Sequence, residues 1–251
     1  MKIEKMTKMR SGKYKIEFDS HEKIIVYDDI ILKHNLLYHS ILTETELNQL
    51  QKDNEQYEVY DKCVKFISKK IRSEKEIRDY IYKTVGEVRE DIIQRLKNNG
   101  FINDKMFTSA FIYDKMNLSN NGPLKIKREL LDHHILEEQI DQELEKYTED
   151  IVNEKLSHLM EKKIKANTKY SKYILKQKLV FYFSDLGYEK EKINYFFDQH
   201  YVGNNVAILK DYNKIKRTLE KKYPGEDIQF KIKQKLYQKG YLKEEIDDIL
   251  N

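Results

Sequence analysis

The residues with the most regular chemical pattern are cations. Arg72, Lys75 and Arg78, then Lys125, Lys127 and Arg128, then Lys169, Lys172 and Lys176, and finally Lys231, Lys235 and Lys239 form four short sets. Several recur at three- or four-residue spacing, which on a helix places them on one side. An acidic stretch follows each set: Glu87, Glu90 and Asp91; Glu137, Glu138 and Asp141; Glu189 and Glu191; Glu244, Glu245, Asp247 and Asp248. Ammonium and guanidinium groups arrayed in this way recognise anions, either phosphates or an acidic protein rim. The same pattern also arises when solvated cationic faces simply pair with neighbouring acidic helices. The sequence leaves both readings open.

Catalytic chemistry has no comparable pattern. The chain has neither a G-x-x-x-x-G-K-[ST] phosphate loop nor a G-x-S-x-G nucleophile turn. Cys63 falls in the apolar phase with Val64 and Ile67, as a buried structural thiol does. His133 and His134 are adjacent, about 100° apart on a helix, and no His-x-x-x-His pair completes a metal site. We expect no catalytic residue, no metal and no cofactor. The 19 tyrosines and 10 phenylalanines invite a base-stacking reading, above all Tyr170, Tyr173, Tyr182 and Phe183. Most lie in the apolar phase of their helices, and core packing is the expectation.

The elements that must carry these residues are helical after the first fifty or so positions. Apolar residues recur with helical spacing in Val64, Ile67, Ile71; Val88, Ile92, Leu96; Ile126, Leu130; Leu156, Leu159, Met160; and Ile228, Ile232, Leu236. Four segments align: LKNNGFINDKM from Leu96, LLDHHILEEQI from Leu130, FSDLGYEKEKI from Phe183 and LYQKGYLKEEI from Leu236. Each reads as a helix that stops at Gly100, His134, Gly187 or Gly240 in a left-handed turn, then folds an apolar residue back onto itself. His134 would hold that conformation at a cost. The first copy joins one repeat to the next, whereas the others lie inside a repeat.

Counting helices between these turns gives four three-helix repeats, at 57–102, 103–148, 149–203 and 204–251. Ser73 to Glu76 forms a capping box, Gly122-Pro123 opens another middle helix, and Pro224-Gly225 precedes the last. Residues 1–56 form a different extension. Tyr14, Ile16 and Phe18 alternate with polar residues and Lys23 to Tyr27 resumes, which predicts a β-hairpin, followed by a short helix from Asp28 to about Leu37 and another opened by the Thr43–Glu46 capping box. The predicted fold is all-α: tandem three-helix repeats in an elongated curved array, carrying a small hairpin-containing extension. Stacking would align the basic middle helices into a stripe, with Arg72, Lys75, Arg78, Lys125, Lys127, Arg128, Lys172, Lys176, Lys231 and Lys235 facing a partner or DNA.

Composition fits this fold. Charged residues are 36% of the 251, and only 2 prolines and 8 glycines are present, too few for the many turns of a β-sandwich. The net charge of +4 tolerates an acidic partner without requiring one. One cysteine fits a reducing compartment, and no apolar run approaches a membrane span or a signal peptide, so a cytoplasmic protein is expected.

Three stretches carry a family resemblance. Ile71-Arg-Ser-Glu-Lys-Glu-Ile-Arg78, then Asn99-Gly-Phe-Ile-Asn-Asp-Lys-Met-Phe107, then Gly122-Pro-Leu-Lys-Ile-Lys-Arg-Glu-Leu130 resemble, in order and spacing, the signature of the RecX family. Asp104, Phe107 and Ala110 stand at or near positions of the second motif, with Thr108 where its alanine would follow Phe107. The resemblance implies tandem three-helix units, no catalytic residues, and modulation of RecA recombinase by lodging in the groove of its filament on single-stranded DNA. We expect a monomer, with inhibition of the RecA ATPase and strand exchange as the form the modulation takes. The alternative from a different class is a sequence-independent nucleic-acid-binding module whose stripe holds DNA directly.

Overall fold

The computed structural model describes residues 1–203, 205–225 and 227–250. Its backbone contacts divide it into two units, Met1–Phe107 and Thr108–Asn251.

The first unit opens with an antiparallel sheet in the order β1 (Ile3–Lys8), β2 (Tyr14–Phe18), β3 (Lys23–Val26). The expected hairpin is β2 and β3; β1 is an additional strand. Its alternation is hidden by a register shift between Ile3 and Lys5, which lets Ile3 and Met6, three residues apart, both pack against the core. Helix α1 (Asp28–Lys33) follows, shorter than expected, and then α2 (Glu44–Ile67). Ile16, Phe18, Val26, Ile30, Ile31 and Leu50 close a small core. Asn54 on α2 seals the β3 edge, accepting from the Tyr27 amide at 3.1 Å and donating to the Ile25 carbonyl at 2.9 Å. On the same helix, buried Asp53 receives His34 Nε2 at 2.8 Å and Lys33 Nζ at 2.7 Å.

The Thr43–Glu46 capping box starts α2 as its sequence requires. The helix then runs 24 residues and passes through the boundary expected at 56/57. No glycine or proline interrupts it, so its first half packs on the sheet through Leu47 and Leu50, and its second half carries Val59, Tyr60 and Cys63 into a core with α3 (Glu74–Val85) and α4 (Glu90–Asn98). Burial pushes the Cys63 thiol up to about 11, as befits an unreactive core sulfur. The Ser73–Glu76 capping box is present at the start of α3.

The remaining helices are α5 (Asp104–Leu118), α6 (Pro123–Asp132), α7 (Glu137–Leu144), α8 (Glu149–Lys165), α9 (Lys172–Asp185), α10 (Lys190–His200), α11 (Asn205–Lys222), α12 (Gln229–Gln238) and α13 (Lys243–Leu250). Ranges 103–148, 149–203 and 204–251 thus hold three helices each. Gly100, His134, Gly187 and Gly240 have φ of 75°, 61°, 85° and 79°. In each turn the amide after the left-handed residue donates back to the helix, as Tyr188 N does to Phe183 O at 3.0 Å and Ile135 N to Leu130 O at 3.2 Å, the Schellman arrangement. Ile135, Tyr188 and Tyr241 are buried as expected. The first copy differs. Phe101 and Met106 are exposed, and Ile102 and Phe107 are buried in their place. The connector from Gly100 to the next helix is one residue longer than in the other three turns, and that shifts the anchors by one.

Inside the second unit two of these turns are joints. The amide of Gly122 donates to Leu186 O at 2.7 Å and that of Leu124 to Gly187 O at 3.1 Å, so the first turn of α6 spends its orphan donors on the α9–α10 turn. At the next joint Ser171, the N-cap of α9, donates its hydroxyl to Lys239 O at 2.8 Å beside Gly240. The chains approach so closely that a Cβ on Gly187 would lie 2.2 Å from Lys125 N.

Two stability predictions follow from this geometry. Gly187→Ala meets both a positive φ and a backbone clash, and should cost roughly 3 kcal/mol or more, whereas Gly100→Ala, with open space around it, should cost about 1 kcal/mol. Equal losses in urea melts would show that the joint yields. His134→Gly removes the left-handed penalty from an exposed residue and should stabilise the chain by about 0.5 to 1 kcal/mol, read as a rise in Tm; a fall would mean that the imidazole contributes more than the turn strain costs.

Candidate interaction surface

The cations singled out in the sequence lie on or beside α3, α6, α9 and α12, the second helices of their ranges, with Arg72 and Lys169 just ahead of α3 and α9 and Lys239 just past α12. Most of the ten expected to face a partner are already bound to carboxylates. Arg78 of α3 holds Glu90 of α4 through a bidentate contact, with Nη2–Oε2 2.8 Å, and takes Glu74 of its own helix at 2.8 Å. Lys127 of α6 bridges Glu137 and Asp141 of α7, each at 2.7 Å. Lys176 of α9 reaches Asp198 of α10 at 2.7 Å. Lys233 of α12, which the sequence reading passed over, pairs with Asp247 of α13. The same contact therefore recurs four times: a cation of the second helix clamps a carboxylate of the third. The segregation of charge along the sequence is in large part this clamp.

Three more of the ten have carboxylate partners elsewhere. Arg72 bonds Glu76 at 2.9 Å and lies 3.9 Å above the Phe66 ring, with its side chain mostly covered. Lys75 pairs with Asp79 at 2.9 Å on its own helix, and Lys125 with Asp185 at 3.8 Å. The electrostatics agree. Burial pushes the Glu76 carboxyl up, but the Arg72 guanidinium and the Ser73 amide more than offset it, and the group titrates below its ordinary range. The hydrogen bond from Arg78 similarly holds Glu90 down.

Lys172 stands 5.4 Å from the Tyr201 ring, and Lys231 stands 3.6 Å from that of Tyr223. Arg128 and Lys235 are exposed and make no ion pair among the described residues. These two are the cations of the set that are open to an outside anion. Lys190, at the start of α10, is likewise exposed and makes no ion pair among the described residues; it sits in an acidic stretch of sequence and was not singled out there.

The aromatic residues divide. Phe183 is fully buried and Tyr182 packs edge-on against it, as core packing requires. Tyr170 is half-buried under Lys178. Tyr173 and Phe181 of α9 are 54% and 79% exposed, large apolar surfaces that the helix does not use internally. Among the described residues no group of three or more His, Cys, Asp or Glu side chains is placed to hold a metal ion, and no helix is long and apolar enough to cross a membrane. Ser157 Oγ and His200 Nε2 lie 2.7 Å apart, linking α8 to α10, with no carboxylate bonded to the imidazole.

No family model matches the chain. Among curated proteins it is similar to the Regulatory protein RecX of Bacillus cereus, 29% identical across the whole of this chain and 95% of that protein. It is similar to that of Listeria innocua serovar 6a, 29% identical over 195 residues, which are 76% of this chain and 72% of that one. Among solved structures, a crystal structure of regulatory protein RecX covers 78% of this chain and 98% of its own, with a TM-score of 0.66 at 20% identity. RecX from Lactobacillus salivarius covers 57% of this chain and 95% of its own, with a TM-score of 0.51 at 24% identity. Relatives of one name match the chain from end to end, and RecX crystal structures share its helical fold, in agreement with the resemblance carried by the three sequence stretches.

Proposed function

We propose that this chain is a non-enzymatic regulator that binds the RecA filament on single-stranded DNA and inhibits its ATPase and strand exchange, acting as a monomer in the cytoplasm. The observation that carries this reading is the end-to-end relationship to proteins named Regulatory protein RecX. The helical fold supports it, since successive short helices expose long surfaces to an extended partner. On this reading the ten cations do not act alike. Arg78, Lys127 and Lys176 tie second helices to third, Arg72 and Lys75 pair at i,i+4, Lys125 reaches Asp185 of α9, and Lys172 and Lys231 stand at tyrosine rings, while Arg128 and Lys235 supply the contacts with phosphates or acidic protein groups.

The test is RecA ATPase activity on single-stranded DNA with this protein titrated in. Inhibition that requires RecA supports the proposal; no effect on RecA, together with tight and salt-sensitive binding to single-stranded DNA alone, would favour a plain nucleic-acid-binding module. Arg128→Glu with Lys235→Glu should weaken inhibition roughly tenfold at low salt and flatten its dependence on ionic strength, with unchanged circular dichroism. Full potency of this variant would remove both residues from the contact. Arg78→Glu should act differently, because it severs two ion pairs and adds a third carboxylate beside Glu74 and Glu90. A loss of about 1 to 2 kcal/mol in denaturant melts is expected before any functional defect is read.

A further inference from the structure

A groove within the second unit has features that the internal clamps leave unexplained. It runs between α6 and the α9–α10 turn, with a volume of about 600 Å³, and an adjoining depression of about 560 Å³ extends it over α9 and α10. Ser184 and Lys190 line both, so the two are continuous. The Gly122–Gly187 joint creates the space. Direct backbone contact draws α6 against the turn at its first residues, and the helix then presents Leu124 and Leu131 to the groove. Val180, Phe181 and Tyr173 continue the apolar surface along α9. Phe181 is 79% exposed and shares this depression with Tyr173 and Val180, so the apolar surface is shared by several side chains.

Two buried polar atoms on these walls have no hydrogen-bond partner: Ser184 Oγ and Tyr188 OH. Almost every buried hydroxyl in a folded protein is bonded, since leaving one unmade costs about 1 to 3 kcal/mol. Both residues line the groove, but both oxygens are closed to solvent, so they mark a loosely satisfied wall and not groups that a ligand would meet.

Charge selects the ligand. The lining carries Lys127, Arg128, Lys176 and Lys190 against Glu189 and Glu191. Lys127 and Lys176 are held by carboxylates of α7 and α10, and Glu189 faces Lys192 at 3.6 Å. Arg128 and Lys190 have no such partner among the described residues, and neither does Glu191, so two unpaired cations at the rim stand against one unpaired carboxylate. A nucleic-acid track needs a run of cations at phosphate spacing, whereas here an apolar floor lies between the cations. That combination suits a peptide whose apolar side chains take the floor while its carboxylates meet the rim. We infer that this groove is a docking site for an acidic protein segment carrying bulky apolar side chains. The inference does not rest on the filament reading, because the groove and its unpaired groups are present whatever larger assembly the chain joins.

The probe is a fluorescein-labelled peptide of alternating glutamate and leucine, followed by fluorescence anisotropy with the full chain. A glutamate–serine peptide, a lysine–leucine peptide and an oligothymidylate serve as comparisons. Saturable binding of the glutamate–leucine peptide is expected, weakened roughly tenfold by Arg128→Gln with Lys190→Gln and by a similar factor in Phe181→Ser. Ser184→Ala should leave binding unchanged and thermal unfolding unchanged or slightly higher, because the hydroxyl it removes is closed to solvent and has no partner among the described residues. Absence of saturable binding, equal binding of the glutamate–serine peptide, or displacement of the probe by oligothymidylate with the same dependence on Phe181 would each overturn the proposal. So would self-association that vanishes in Phe181→Ser, which would assign the groove to a second copy. If Phe181→Ser loses helix by circular dichroism, Tyr173→Ser at the other end of the floor replaces it.

Discussion

The left-handed residue that ends α9 sets the geometry of much of the second unit. A positive φ at Gly187 turns the chain away from the helix axis and leaves the carbonyls of Leu186 and Gly187 pointing outward, where the first amides of α6 find them. Helix N-termini ordinarily satisfy such donors with a side-chain cap. Here Gly122 has no side chain and Pro123 contributes no donor, so the neighbouring turn acts as the cap. The α9–α12 joint reaches the same end with a serine hydroxyl between the chains. Glycine at position 187 therefore serves two purposes: it permits the turn, and it removes the Cβ that would hold the two backbones apart.

Within that frame, charge is used for local cohesion. A lysine or arginine of the second helix and an aspartate or glutamate of the third meet in each of the four ranges, at positions exposed enough that each pair contributes modestly. The contacts act as guides that fix how each helix pair lies, and burial of residues such as Ile126, Leu130, Phe183, Ile193, Leu236 and Ile246 supplies most of the stabilisation. One outcome is that net positive charge is a poor guide to where an anion docks. Of the ten cations singled out on or beside the second helices only Arg128 and Lys235 are exposed without an ion pair among the described residues, and Lys190, another such cation, follows directly on Glu189.

What the sequence made legible was whatever depended on periodicity and punctuation. Two capping boxes, a proline at the first position of α6 and three glycine turns all state a local backbone requirement in residue type, and they were readable for that reason. Strand β1 was hidden because its bulge breaks the alternation on which strand reading relies. Ile71 and Val88 continued a helical pattern on paper but lie in connections, exposed, because nothing in side-chain type marks where α2 ends or α4 begins. The exposed cations were identifiable as charged, not as unpaired, since pairing depends on which helix each side chain faces. The lone hydroxyls of Ser184 and Tyr188 leave no trace in sequence at all, being defined by partners that are missing in space.

Helix α2 joins two structural worlds on a single rod. At 24 residues it is about 36 Å long, anchored in the sheet core at one end and in the core with α3 and α4 at the other. An uninterrupted helix transmits torque, so the sheet cannot swivel against the following helices in the manner of a bead on a string. Whatever load falls on the N-terminal strands is delivered, stiffly and in a fixed direction, to Val59, Tyr60 and Cys63, and excising the extension at residue 56 would cut the shaft near its middle instead of freeing a separate part.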